Sequence, residues 1–353
     1  MSSRRTLLKS ASAWATLSLL APGAAFAQDP LPVVATFSIL GDMVEQIGGE
    51  HIALTTLVGP GGDAHVYQPS PQDAAAVAGA DVLFMNGLEF EGWLERLAEA
   101  APFDGEMVVA TTGITPIAYE DDPAHDDHDE HDHDDDDHAE EDHDHAEHAE
   151  DDHDDHDDHA DHDDHDEDHA GHDEHDHGIF DPHAWQTIEN AVIYADNIAA
   201  GLAKADPDNA AAYYANRAAY VAELEALEVE IDAMFAAIPA DRRTIVTSHD
   251  AFGYLGEHYG LTFLAPQGVS TESEASAADV AAMITQIREE GISAVFFEKT
   301  TDNRLIERIA AETTVGIGGT LYTGALSDAD GPAATYIDMM RHNAVTLTDV
   351  LGL

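Results

Sequence analysis

Short runs of β-branched and aromatic residues alternate along the chain with stretches whose apolar positions recur every three to four residues. This alternation predicts α/β layering. Strands are expected at 33–37, 53–58, 82–86 and 107–111, with helical segments at 39–47, 71–78 and 92–100. A second set of strands is expected at 244–247, 262–265, 294–298 and 315–317, with helices at 277–290 and 303–312. Each half offers about four strands, so two similar lobes are the simplest account. Between them lies a helical stretch broken at Asp206-Pro207; from 208 to 238 it holds neither Gly nor Pro, and Ala, Leu and Glu dominate. Tyr214, Val221, Leu224, Ile231, Phe235 and Ile238 recur there at helical spacing and are assigned to core packing. One helix of about 30 residues would be ~45 Å long, long enough to run along both lobes and stiff enough to limit hinge motion. The expected division is 1–27 export segment, 28–186 first lobe, 187–239 helical connection and 240–353 second lobe.

Charge changes this picture. Among 353 residues, 72 acids face 13 bases, and 32 of the acids fall between 121 and 178 with 17 His and no Lys or Arg. The remainder still carries 40 acids against 13 bases. Such a balance argues against nucleic acid or an anionic membrane surface as partner and suits a cation. The tract lacks bulky apolar residues and is predicted to be disordered, since nothing offsets its ordering entropy. Within it His153, His156, His159, His162 and His165 repeat every third residue, and would share one face of a polyproline-type helix. The chain has no cysteine, which removes disulfides, thiolate metal sites, iron–sulfur clusters and a lipidated N-terminal Cys.

The first 27 residues read as an export signal: Arg4, Arg5 and Lys9, an apolar run from Ala11 to Leu20, then Ala25-Phe26-Ala27. The paired arginines resemble a twin-arginine signal, and an ordinary secretory signal is the alternative. No later stretch approaches the ~20 apolar residues of a membrane span, so a soluble periplasmic protein, not inserted in the membrane, is expected.

Six histidines lie outside the tract, and three stand in loops suited to a site. His65 ends the glycine-rich segment Gly59-Pro60-Gly61-Gly62-Asp63-Ala64-His65. His183 lies in Asp181-Pro182-His183-Ala184-Trp185, just before a helix. His249 follows the first strand of the second lobe, outside the carboxyl ends of the strands, where open α/β sheets bind ligands. Each alone would read as a structural histidine; three in comparable loops from both halves point to a site. A fourth feature is the segment from Phe296 to Arg304, where a buried strand ends in Glu298 and Asp302 precedes a helix. Taken alone, Asp302 is an N-cap.

Four motifs together resemble the solute-binding proteins of zinc and manganese ABC importers, the cluster A-I or ZnuA/TroA-like family. They are Asp63-Ala64-His65-Val66-Tyr67-Gln68-Pro69-Ser70-Pro71, Asp181-Pro182-His183-Ala184-Trp185, Ser248-His249-Asp250-Ala251-Phe252-Gly253-Tyr254 and Glu298 to Arg304. The resemblance spans nearly all of the mature chain. It implies two α/β lobes with parallel four-stranded sheets, bridged by a long helix, with metal in the interlobe cleft. It further implies His65, His183, His249 and Asp302 as metal ligands, with water or Glu298 as the alternative to Asp302. Three imidazoles and a carboxylate suit Zn²⁺; manganese favours more oxygen, and manganese-type members typically carry a carboxylate where His249 stands. Ala64 takes a position where many zinc-type members have Glu. Glu298 and Asp250 are candidates for orienting the ligands.

The implied function is capture of extracytoplasmic Zn²⁺ by a monomer and its delivery to the membrane permease of a zinc ABC importer. The tract would add weak Zn²⁺ sites. The competing readings are a manganese-binding member of the family, a periplasmic zinc buffer or chaperone without a transporter, and a zinc hydrolase. The last lacks an H-E-x-x-H motif and the open coordination position that catalytic zinc keeps, so no enzyme is expected.

Overall fold

Two four-stranded parallel sheets organise the chain. The computed structural model describes residues 29–118, 180–292 and 294–352; the export segment 1–27 and the tract 121–178 lie outside the described residues. In the first sheet β1 (Leu31–Phe37), β2 (Ile52–Val58), β3 (Val82–Met85) and β4 (Glu106–Val109) take the order β2-β1-β3-β4. In the second, β5 (Thr244–Val246), β6 (Thr262–Leu264), β7 (Ala294–Glu298) and β8 (Gly316–Leu321) take the equivalent order β6-β5-β7-β8. All neighbouring strands are parallel. Central β1 is buried from Val33 through Phe37, as befits a parallel strand covered on both faces. The sequence expectation of two α/β lobes with four-stranded parallel sheets therefore holds.

Nine α-helices pack around these sheets among the described residues: α1 (Ser38–Gly48), α2 (Pro71–Ala78), α3 (Leu94–Ala100), α4 (Ile188–Ala205), α5 (Ala210–Ala236), α6 (Gly253–Tyr259), α7 (Ala277–Glu290), α8 (Arg304–Thr313) and α9 (Tyr336–Leu351). Local chemistry fixes several of their starts. Ser70 caps α2 and Ser276 caps α7, each in a reciprocal capping box with an Asp three residues on. The break at Asp206-Pro207 ends α4, and Asp206 accepts a hydrogen bond from Tyr213 Oη at 2.8 Å.

Helix α5 is the long connector. Its 27 residues span about 40 Å, and it packs against α4, against α1 of the first lobe and against α9 of the second. One residue of its expected apolar stripe is corrected. Tyr214 is 52% exposed, while its neighbour Tyr213 is fully buried, followed by Tyr220, Leu224, Leu227 and Ile231. The Tyr213 ring can be buried because its hydroxyl donates a hydrogen bond to Asp206.

Three elements differ from the sequence expectation: α6, where no helix is expected, α9 and β8. Helix α9 carries Asn343, Val345, Thr346 and Thr348, all weak helix formers, yet it forms because Tyr336, Met339, Met340, Ala344, Leu347 and Leu351 bury one face. Strand β8 extends well past residue 317 despite three glycines. A Cβ at Gly318 would stand 2.3 Å from the Phe296 ring, so glycine admits the close approach of β7 and β8.

Candidate metal centre

Three imidazoles converge where loops from the two sheets meet. His65 lies on the loop after β2, where Gly61 adopts φ +68°. Asp63 orders this loop: Oδ1 accepts the His65 N–H at 3.0 Å and Oδ2 accepts the Thr271 hydroxyl at 2.7 Å, from the loop after β6. A second link between the lobes is the Gly61 N–H donating to the Leu326 carbonyl at 2.9 Å. Trp93 Nε1 donates to the Ala64 carbonyl at 2.7 Å, fixing the residue beside His65.

His183 precedes α4 and is fully buried. Asp181 Oδ1 accepts its backbone N–H at 2.9 Å and stands 2.8 Å from its Nδ1. Asn86 Nδ2 donates to the Pro182 carbonyl at 2.9 Å. Trp185 Nε1 donates to the Thr323 carbonyl in the second lobe at 2.9 Å, and Tyr336 Oη of α9 donates to the Trp185 carbonyl at 2.7 Å. The loop that carries His183 is thus clamped from both halves.

His249 follows β5 and is equally buried. Glu298, at the end of β7, accepts the Ser248 and His249 N–H groups on Oε1 at 2.6 and 2.8 Å. Its Oε2 faces His249 Nδ1 at 2.5 Å, and neither of these two atoms has another polar partner. β5 and β7 are neighbours at the centre of their sheet, so the pair sits where doubly wound sheets bind ligands.

With Nδ1 of His183 and of His249 facing carboxylates, Nε2 is the nitrogen left for a ligand. His65 Nε2 and His183 Nε2 stand 3.1 Å apart. One nitrogen from each of the three rings lies within 4.8 Å of the others, and no further group of this kind occurs among the described residues. Two nitrogens bound tetrahedrally to one ion at ~2.0–2.1 Å stand about 3.3 Å apart, close to the spacing observed.

Burial, and then the neighbouring imidazole charges, hold His65 and His183 well below the ordinary histidine pKa. Burial also presses on His249, but the Glu298 charge outweighs it and raises His249 above its ordinary value. Glu298 is buried as well, yet the His249 charge and the two backbone N–H donors keep it below the usual carboxylate value. Burial lifts Asp181 to about 6, and burial with the Asp181 charge lifts Asp250 to about 6.

The structure does not bring Asp302 into this group. Its exposed carboxylate accepts the Arg304 N–H at 2.9 Å and the Arg304 Nε–H at 2.8 Å, and pairs with Nη2. These bonds hold its pKa down, at about 2. The N-cap expectation is also corrected, since Asn303 occupies that position without a side-chain cap. Asp181 stands two residues before His183, the spacing of an Asx turn, and this is the one local sign of its role.

The profile of the ZnuA family, the periplasmic zinc-uptake complex component A, matches residues 33–350. A manganese-binding lipoprotein, MntA of Halalkalibacterium halodurans, is 30% identical over 91% of this chain and 89% of its own length. The iron-binding protein YfeA of Yersinia pestis is 28% identical over 91% and 86%. Among solved structures, the periplasmic zinc-binding protein TroA of Treponema pallidum superposes with a TM-score of 0.72 at 25% identity, covering 92% of this chain and 99% of that one. A manganese-bound periplasmic metal-binding protein of Candidatus Liberibacter asiaticus gives 0.69 at 26% identity, covering 92% and 100%.

Proposed function

The chain belongs to the ZnuA family, periplasmic metal-binding components of ABC importers rather than enzymes, and on that premise we propose that its cargo is Zn²⁺. The observation that carries this reading is the donor set. Three imidazoles converge without a carboxylate among them, and nitrogen-rich four-coordinate sites suit zinc better than manganese. His65, His183 and His249 bind through Nε2, and Asp302 supplies the fourth ligand by exchanging Arg304 for the ion. Asp181 and Glu298 orient two of the imidazoles from behind. The protein hands its ion to a membrane permease, acts as a monomer and is exported by residues 1–27. The tract at 121–178 adds weak, interconverting zinc sites.

Manganese is the second reading, favoured by several relatives that are manganese-binding or manganese-transporter lipoproteins, MntA and PsaA among them. Competition titrations with Zn²⁺ and Mn²⁺ on the mature protein and on a 121–178 deletion, each with and without His183→Ala, test both. One tight zinc that survives the deletion and is lost with His183→Ala supports the reading. Preferential retention of manganese by the deletion variant overturns the choice of zinc. Loss of all tight metal on deletion, with no effect of His183→Ala, overturns the cleft assignment.

A further inference from the structure

The segment after β3 holds a run of three residues with positive φ. Gly87, Leu88 and Glu89 follow one another at φ +89°, +53° and +60°. Leu88 and Glu89 are two of only three non-glycine residues with positive φ among the described residues. Such conformations persist only where the surroundings over-determine them, and they concentrate at functional sites. Here the surroundings are a buried carboxylate, that of Glu91. Glu91 Oε1 accepts the Thr36 hydroxyl at 2.6 Å and the Asn86 N–H at 2.7 Å, and Oε2 accepts the Gly87 N–H at 3.3 Å. Because Thr36 belongs to β1, the strained loop is tied to the centre of the first sheet.

What the loop presents is Phe90. Its ring meets His65 edge-on with centroids 4.7 Å apart, lies 6.0 Å from His183, and packs on Phe37 and Trp185 at 4.9 Å. Phe90 also lines a cavity of about 860 Å³, together with Leu88, Glu89, Pro182, Glu272 and His65. Resting on the reading of the three histidines as a metal site, we propose that Glu91 is a positioning residue. It locks the Gly87–Glu89 turn so that Phe90 stands against His65 at the inner end of this cavity and keeps His183, which does not line it, from opening onto it, and so sets the rate at which the metal exchanges. A buried carboxylate is well suited to the task because it accepts several donors at once, whereas an apolar side chain would leave the Asn86 and Gly87 N–H groups without partners.

The test is stopped-flow release of Zn²⁺ to an excess of chelator from the mature protein and from Glu91→Gln, Phe90→Leu and Leu88→Gly. Glutamine keeps the shape but turns a donor toward one of the N–H groups. Glycine accepts the φ of Leu88 without strain and loosens the turn. Release about 10- to 100-fold faster in the variants, measured well below the thermal midpoint of each metal-free variant, supports the proposal; a purely structural role would lower the midpoint and leave release from the folded protein unchanged. Should Glu91→Gln fail to fold, Phe90→Leu and Leu88→Gly still decide, and wild-type release rates in both overturn the inference. The wild type separates the two readings. If it retains no chelator-resistant zinc, the metal reading falls and this inference with it; if it does and the variants match it, only this inference falls.

Discussion

Glu298 reaches His249 from two directions: one carboxylate oxygen takes its backbone N–H at 2.8 Å, and the other stands 2.5 Å from Nδ1 of its ring. The ring cannot turn without giving up that charge, so Nε2 stays aimed at His65 and His183. Replacing Glu298 with Gln preserves volume and removes the charge. Zinc affinity is expected to fall about 10- to 100-fold, measured by competition with a fluorescent chelator. An unchanged affinity in a folded Glu298→Gln variant would show that orientation of His249 does not depend on this carboxylate.

Binding should be coupled to a proton. His65 and His183 are held neutral by burial, whereas His249 is raised by Glu298 and carries a proton above the pH at which a free histidine loses it. A metal must displace that proton, so proton release on binding is expected, and it should grow as the pH is lowered through the raised His249 value. Calorimetry in buffers of different ionisation enthalpy measures it, and Glu298→Gln should abolish it. In the metal-free protein the signs oppose. The raised His249 contributes stability that is complete below about pH 6.5 and is lost as pH rises through its folded value. His65 and His183 act the other way: below about pH 6.5 the unfolded chain takes protons that the fold refuses, and stability falls.

Asp302 is expected to matter for zinc and not for folding. In the described structure it faces only Arg304, and exposed pairs of this kind contribute little to stability. Asp302→Asn should weaken zinc binding about tenfold or more while leaving the urea midpoint of the metal-free protein in place. A Co²⁺ absorption spectrum identical in wild type and variant would remove Asp302 from the ligand set.

The two adjacent tyrosines of α5 give a test of packing. Tyr213 is fully buried and donates to Asp206, and Tyr214 is half exposed. Tyr213→Ala should destabilise by ~3–5 kcal/mol, as aromatic truncations in cores do. Tyr214→Ala should stay within about 0.5 kcal/mol of wild type. Equal urea midpoints for the two variants would contradict the register described.

The strands, the parallel layering and the convergence of His65, His183 and His249 were legible because each rests on a local signal: apolar runs, a glycine-rich turn, a histidine at a strand end. The side chains behind the ligands were harder to read. Asp181 serves His183 from two residues away, but Glu298 serves His249 from 49 residues away, and only the pairing order of β5 and β7 joins them. Helix α9 was hidden because its sequence is locally indifferent to helix and is made helical by the core it covers. The Gly87–Glu89 turn gives no local sign either, since nothing about Leu88 or Glu89 advertises a left-handed backbone; the reason for it is a carboxylate tied to another strand. Tyr213 and Tyr214 show the limit of periodicity itself, which fixes a stripe only to within one residue.

The apolar core does not divide at the cleft. One cluster runs from β1 and α1 through α4 and α5 into β5, α6 and α9, while Val246, Val280, Met283, Ile287, Val295, Ile306 and Ile309 form a second, smaller cluster beneath α7 and α8. Strand β7 is split between them, with Phe296 in the large core and Val295 in the small one. Cooperative units follow packing, so the seam along which the molecule opens lies within the second lobe and not between the two. Backbone amides of α7 and α8 therefore exchange through a sub-global opening that leaves the histidine triad intact. Those of α4 and α5 wait for the molecule to unfold as a whole. Such an opening spares the three imidazoles but disturbs Asp302, which directly precedes α8, so partial unfolding is expected to loosen the metal before it releases it.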